Sequence, residues 1–187
     1  EVYVDIPKIV REAIREAGYV KPEYGIDFQS CGIIVSLKEQ SNDIALGVDE
    51  SKEAKEHGSD RDDLDLIGAG DQGMMVGFAC DESEPYEPGT FMPLPIFLAH
   101  RMTQRLAELR RNLTLPYLRP DGKSQVTIEY SHGKPKRVHT AVVSTQHDPQ
   151  VSIDVIQRDM EEEVIRHVIP RHLQDDETKY FVNPTGR

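Results

Sequence analysis

Two β-rich runs, Gln125-Val126-Thr127-Ile128-Glu129-Tyr130 and Arg137-Val138-His139-Thr140-Ala141-Val142-Val143-Ser144-Thr145, flank the turn Ser131-His132-Gly133-Lys134. Apolar runs joined by a short Gly-bearing turn make an antiparallel hairpin, and that hairpin decides the fold. Upstream, Leu98, Met102, Leu106 and Leu109 recur on one face of a helix expected over 95–111. Before it, Met74-Met75-Val76-Gly77-Phe78-Ala79-Cys80 reads as a strand. Downstream, a helix is expected over 153–169, with Ser152 or Asp154 as N-cap and Pro170 as the stop, and then a strand over 179–182. The order is β-α-β-β-α-β, the split arrangement of an α+β fold with helices on one face of a mixed sheet.

The first third repeats part of this pattern. Residues 1–6 alternate like a strand, Pro7 opens a helix where its missing N–H costs nothing, and Gly18 closes it. Ile6, Ile9, Val10, Ala13, Ile14 and Ala17 follow helical spacing, and a strand is expected over 31–37. This β-α-β is comparable with the one over 137–182, so one unit is complete and another truncated. Between them, 39–65 is rich in Asp, Glu, Lys, Ser and Gly and loses apolar periodicity after Val48. A loop of that length is either a functional lid or a solvated linker.

Composition narrows the function. The 187 residues are 37% hydrophobic and 29% charged, which suits a globular cytoplasmic protein. No run approaches the roughly 18 apolar residues of a membrane span, and Glu1-Val2-Tyr3-Val4-Asp5 has no basic, then apolar, leader pattern. A net charge of −11 argues against a nucleic-acid partner, whose phosphates demand a basic surface, but leaves room for a small anionic ligand beside a few local cations. Cys31 and Cys80 sit in β-like apolar runs with no metal-ligand spacing and read as buried thiols; the seven histidines show no ligand spacing either.

Three motifs could carry chemistry. Gly68-Ala69-Gly70-Asp71-Gln72-Gly73 fits GxGxxG, yet an acidic stretch precedes it and a β-like run follows, the reverse of the dinucleotide-binding context. Its glycines still allow close approach of backbone to a ligand, with Asp71 beside it. In Leu118-Arg119-Pro120-Asp121-Gly122-Lys123-Ser124, Pro-Asp-Gly is a common turn sequence. As a site, Lys123 is a point charge for phosphate oxygens and Asp121 an acceptor for a ribose or base group. Ser144, His147 and Asp148 crowd together, but triads are made by geometry rather than sequence proximity, and a strand-to-helix connection is the better reading.

The hexapeptide with the run after it resembles the signature of the methionine adenosyltransferases. Four further blocks agree in order: 93–101, 115–126, Val143-Ser144-Thr145-Gln146-His147, and Asn183-Pro184-Thr185-Gly186-Arg187. The resemblance implies an enzyme that joins ATP and L-methionine, displaces tripolyphosphate from the ribose 5′ carbon and hydrolyses it to phosphate and diphosphate. It also implies two Mg²⁺ ions and a K⁺ with ligands mostly outside this chain, and sites shared between subunits of a homodimer or homotetramer. Carried over by position, Lys123 is the catalytic cation, and Asp121, Gly122, Lys123, Thr185 and Arg187 bind ATP. Gln40 and Asp71 bind methionine, with Asp71 also facing the adenosine. The implied division is 1–38 as the end of a first domain, 39–67 as a mobile gate loop and 68–187 as a central domain. Nothing matches the family's His-Pro-Asp-Lys block or its later glycine-rich segment, so the isolated chain is expected to be inactive. The alternative is a non-catalytic subunit-association or nucleotide-binding module of the same fold.

Overall fold

A computed structural model describes residues 3–49, 51, 52, 55, 68 and 74–186. Its contacts divide the chain into Glu1–Gly32 with Ala79–Arg187 as one unit and Ile33–Phe78 as a second.

In the first unit, helix α1 (Ile6–Ala17) begins where the Asp5 side chain accepts the Lys8 N–H, with Pro7 in its first turn. It stops at Gly18, whose φ of 104° is left-handed. None of its residues is buried, although its apolar spacing is helical. Two arginines tie it down. Arg110 and Arg111 donate to the carbonyls of Ala17 and Glu16, which lie past the last intrahelical donors. Pro22–Tyr24 then forms a short 3₁₀ turn.

The second unit contains α2 (Asn42–Val48). This corrects part of the loop expected after residue 39: seven residues there make helical turns.

Returning to the first unit, α3 (Leu94–Arg111) buries Leu94, Phe97, Leu98, Ala99, Met102, Leu106 and Leu109. The hairpin follows as β1 (Leu118–Ser131) and β2 (Lys134–His147), antiparallel, with Lys123 opposite Ser144 and Gly122 opposite Thr145. Helix α4 (Ile153–Met160) continues through a π segment, Glu161–Ile165, into Arg166–Val168. A wider turn leaves carbonyls poorly paired, and Arg105 Nε donates to that of Glu163 at 3.1 Å. The last strand, β3 (Lys179–Val182), lies parallel to β2, giving a three-stranded mixed sheet in the order β1-β2-β3.

The period of two in the strands assigns the faces. Gly122, Ser124 and Val126 on β1, with Thr145, Val143 and Ala141 opposite them, turn toward the helices. Ser124 Oγ donates to the Ala99 carbonyl of α3 at 2.7 Å. Ile156, Met160, Val164 and Ile165 enter the same core. The α+β class is therefore as expected, with helices packed on one face of a mixed sheet.

Two expected strands do not form, nor does the described part of a third, whose residues 1 and 2 lie outside the described residues. Residues 3–5, 31–37 and 74–80 have no regular secondary structure. Met74, Met75, Val76 and Phe78 are 90, 94, 90 and 79% exposed, and Ile34 is 97% exposed. A strand needs a neighbour to satisfy its N–H and C=O groups, and no described strand lies beside these. The two cysteines are free thiols, half-buried rather than buried. The Arg11 guanidinium lies 3.6 Å from Cys31 Sγ while donating to the carbonyls of Phe28, Gln29 and Cys31.

Candidate functional site

At the end of the sheet where β1 begins and β3 ends, a cleft of about 210 Å³ is lined by Asp121, Lys123, Ser144, Thr145, Gln146, Asn183 and Thr185. Lys123 and Ser144 are register partners on the face away from the helices. The segment 119–123 carries two cations of different fate. Arg119 donates to the Glu23 carbonyl at 2.8 Å, lies 3.7 Å from the Asp148 carboxylate and stacks over the Tyr24 ring at 4.8 Å. It holds residues 22–24 against the sheet. Lys123 is exposed and, among the described residues, has neither an ion pair nor a hydrogen bond, although Asp121 is two positions away. Its ammonium shares the cleft with the Asp121 carboxylate, the Ser144, Thr145 and Thr185 hydroxyls and the Gln146 and Asn183 amides.

The remaining residues frame this cation. Asn183, 5% exposed, is held on β2: its Oδ1 accepts the Thr145 N–H at 2.9 Å and its Nδ2 donates to the Thr145 carbonyl at 3.1 Å. Gln146 Nε2 donates to the Tyr24 carbonyl at 3.3 Å, while its Oε1 is buried with no hydrogen-bond partner among the described residues. Gly122 turns the other way. A Cβ there would lie 3.0 Å from Leu106 Cδ1, so its lack of a side chain lets α3 approach the strand. Thr185 is exposed at the cleft's rim.

The structure thus brings Asp121, Lys123 and Thr185 together, with Gly122 in the strand between the first two. Gln40 is exposed in the second unit, outside any regular element. Asp71 and Arg187 lie outside the described residues. The crowded Ser144, His147 and Asp148 make no triad: His147 Nδ1 is 2.9 Å from the Asp148 backbone carbonyl, and the Asp148 carboxylate accepts from Gln150 N–H and faces Arg119. Gln146 and Asn183 were not singled out from sequence, though Asn before Pro is a turn signal that marks residue 183.

Fold and cleft define an α+β protein with an open, mixed sheet, helices on one face and a polar cleft at one end of the other. Within that class, residues 66–187 match the family profile described as S-adenosylmethionine synthetase, central domain, and the chain belongs to the S-adenosylmethionine synthetase family. It is 53% identical over 185 residues to the S-adenosylmethionine synthase of Clostridium botulinum (strain Alaska E43 / Type E3). That similarity covers 99% of this chain and 46% of the relative, so the chain spans about half the relative's length. Among the described residues no helix is long and apolar enough to cross a membrane.

Proposed function

We propose that the protein containing this chain forms S-adenosylmethionine from ATP and L-methionine, and that the cleft around Lys123 holds the phosphate chain. The observation that carries this is the unpaired Lys123 ammonium among Asp121, Ser144 and Thr185, in a chain of this family. In the proposed reaction the neutral methionine sulfur attacks the ribose 5′ carbon and the C–O bond to the triphosphate breaks. The leaving group departs with its electron pair. Charge on its oxygens rises as the bond lengthens, so a cation already in place lowers the barrier without reorganising. The tripolyphosphate is then hydrolysed to phosphate and diphosphate.

Asp121 serves as an acceptor for a ribose or base group, and Thr185 and Arg187 complete the nucleotide pocket. Gln40 and Asp71 bind methionine, and 39–67 gates the site between the end of a first domain and the central domain. Mg²⁺ and K⁺ neutralise the phosphates when bound. Among the described residues no three His, Cys, Asp or Glu side chains converge; Mg²⁺ is commonly held by one or two carboxylates together with substrate phosphates. The active protein is a cytoplasmic homodimer or homotetramer.

The test is S-adenosylmethionine formation by the full-length protein and its Lys123→Ala variant, with ATP, methionine, Mg²⁺ and K⁺. Removing one preorganised donor should lower turnover on the order of 10²-fold with the fold intact. Near-normal turnover in the variant would remove Lys123 from the site.

A further inference from the structure

β3 pairs with β2 as far as Val182 opposite Val143, and the Asn183 N–H still reaches the Val143 carbonyl at 2.9 Å. The next bonds of a parallel ladder would join the Thr145 N–H and C=O to the Asn183 C=O and the Thr185 N–H, but the chain turns away and the Asn183 carbonyl accepts from the Gly186 N–H instead. Asn183 replaces what is missing. Its carboxamide accepts from Thr145 N–H and donates to Thr145 C=O, the two bonds a peptide group would make there. Its backbone is left-handed, at φ 41°, a conformation that asparagine tolerates better than most side-chain-bearing residues. The chain then turns back on itself: Gly186 N–H donates to the Asn183 carbonyl at 2.8 Å, with Pro184 and Thr185 between them. Thr145 is also the register partner of Gly122, which lies between Asp121 and Lys123. With the Thr145 N–H and C=O facing Asn183, the neighbouring Ser144 faces β1 as the register partner of Lys123, so the turn that carries Thr185 and the strand that carries Lys123 are seated on adjacent residues of β2.

We propose that Asn183 is a positioning residue for this cleft. Its carboxamide seats the 183–186 turn on β2 and so sets the spacing between Thr185 and Lys123 for a phosphate-bearing ligand. This rests on the reading that the cleft holds the phosphate chain. With the amide removed, the buried Thr145 N–H and C=O lose their partners and the turn leaves its seat for much of the time. Only the seated fraction binds well, so apparent affinity falls by that fraction.

The experiment compares Asn183→Gly, which keeps the left-handed backbone but loses the amide, with Asn183→Asp in the full-length protein. The Asp variant keeps the acceptor for Thr145 N–H but sets a carboxylate against the Thr145 carbonyl. Lys123→Ala is measured alongside, with inorganic tripolyphosphate binding by calorimetry and the KM and kcat for ATP as readouts. Asn183→Gly should weaken tripolyphosphate binding and raise KM about tenfold while lowering kcat much less, since bound ligand reseats the turn. Asn183→Asp should bind more weakly still. Unchanged affinity and KM in both folded variants would overturn the inference, as would loss of the fold in both, which would make Asn183 a folding residue only. If Lys123→Ala alone is impaired, the inference fails and the cleft reading stands. If Lys123→Ala binds tripolyphosphate and turns over normally, the cleft reading fails and takes the inference with it.

Discussion

Replacing Gly18 by Ala tests how residues 1–32 are held to the rest of the first unit. Gly18 ends α1 at φ 104°, and a Cβ there would lie 2.1 Å from Arg110 Nη1 and 2.7 Å from its Cζ. The substitution therefore does two things. It places a side chain in the left-handed region, costing about 1–2 kcal/mol. It also pushes aside the guanidinium that donates to the Ala17 carbonyl at 3.0 Å, a bond with a net contribution of about 1 kcal/mol. Together these give roughly 2–3 kcal/mol of destabilisation. Urea unfolding followed by circular dichroism would measure it in the native sequence and in an Arg110→Ala background. There the second contribution is already gone, and Gly18→Ala should cost about 1–2 kcal/mol only. A cost below about 0.5 kcal/mol in the native sequence, or the same cost in both backgrounds, would refute the reasoning.

Glu82 Oε2 accepts from both the Leu94 N–H and the Tyr130 hydroxyl at 2.8 Å, tying the start of α3 to β1. Glu82→Ala should therefore cost about 1–2 kcal/mol in urea unfolding and Tyr130→Phe less, whereas equal and negligible effects would remove this link. Acid should unfold the chain for identifiable reasons. Asp175 is held below the usual carboxylate range chiefly by the Arg137 side chain, Glu84 by the N–H groups of Gly89 and Phe91, and Asp27 by the Ser30 hydroxyl and N–H. Folded values below unfolded ones mean a contribution that is complete above the ordinary carboxylate range and lost as pH falls through the folded values. The thermal midpoint should stay level from neutrality to about pH 5 and drop below about pH 4, and a flat profile to about pH 3 would contradict this. Residues 1–187 expressed alone should form no S-adenosylmethionine with ATP, methionine, Mg²⁺ and K⁺; robust turnover would show that this chain holds a complete site.

The elements legible in the sequence are those that pair or pack on the described sheet. The hairpin was readable because both strands and their Gly-bearing turn are contiguous, and the strand over 179–182 because it lies on β2. Helix α3 buries the Leu98, Met102, Leu106 and Leu109 stripe on that sheet, and Gly18 closes α1 where its lack of a Cβ predicts. The alternation at the start of the chain and the apolar runs at 31–37 and 74–80 were equally visible, but such patterns specify a face and not a neighbour, and residues 3–5, 31–37 and 74–80 make no strand. The π segment at Glu161–Ile165 was also illegible, because it reflects a local fit in which Arg105 meets the Glu163 carbonyl. In the cleft, charge pointed to Asp121 and Lys123, whereas the turn expected at Pro120-Asp121-Gly122 is instead part of β1, which starts at Leu118. The contributions of Gln146 and Asn183 depend on which backbone groups lie opposite them, something only the sheet register supplies.

The most direct test of the central claim is an experimental structure of the full-length protein with methionine and a non-hydrolysable ATP analogue. The account predicts Lys123 Nζ at about 3 Å from a phosphate oxygen, with Thr185 across the same cleft. A triphosphate bound elsewhere, with the Lys123 ammonium more than about 4 Å from every phosphate oxygen, would contradict it.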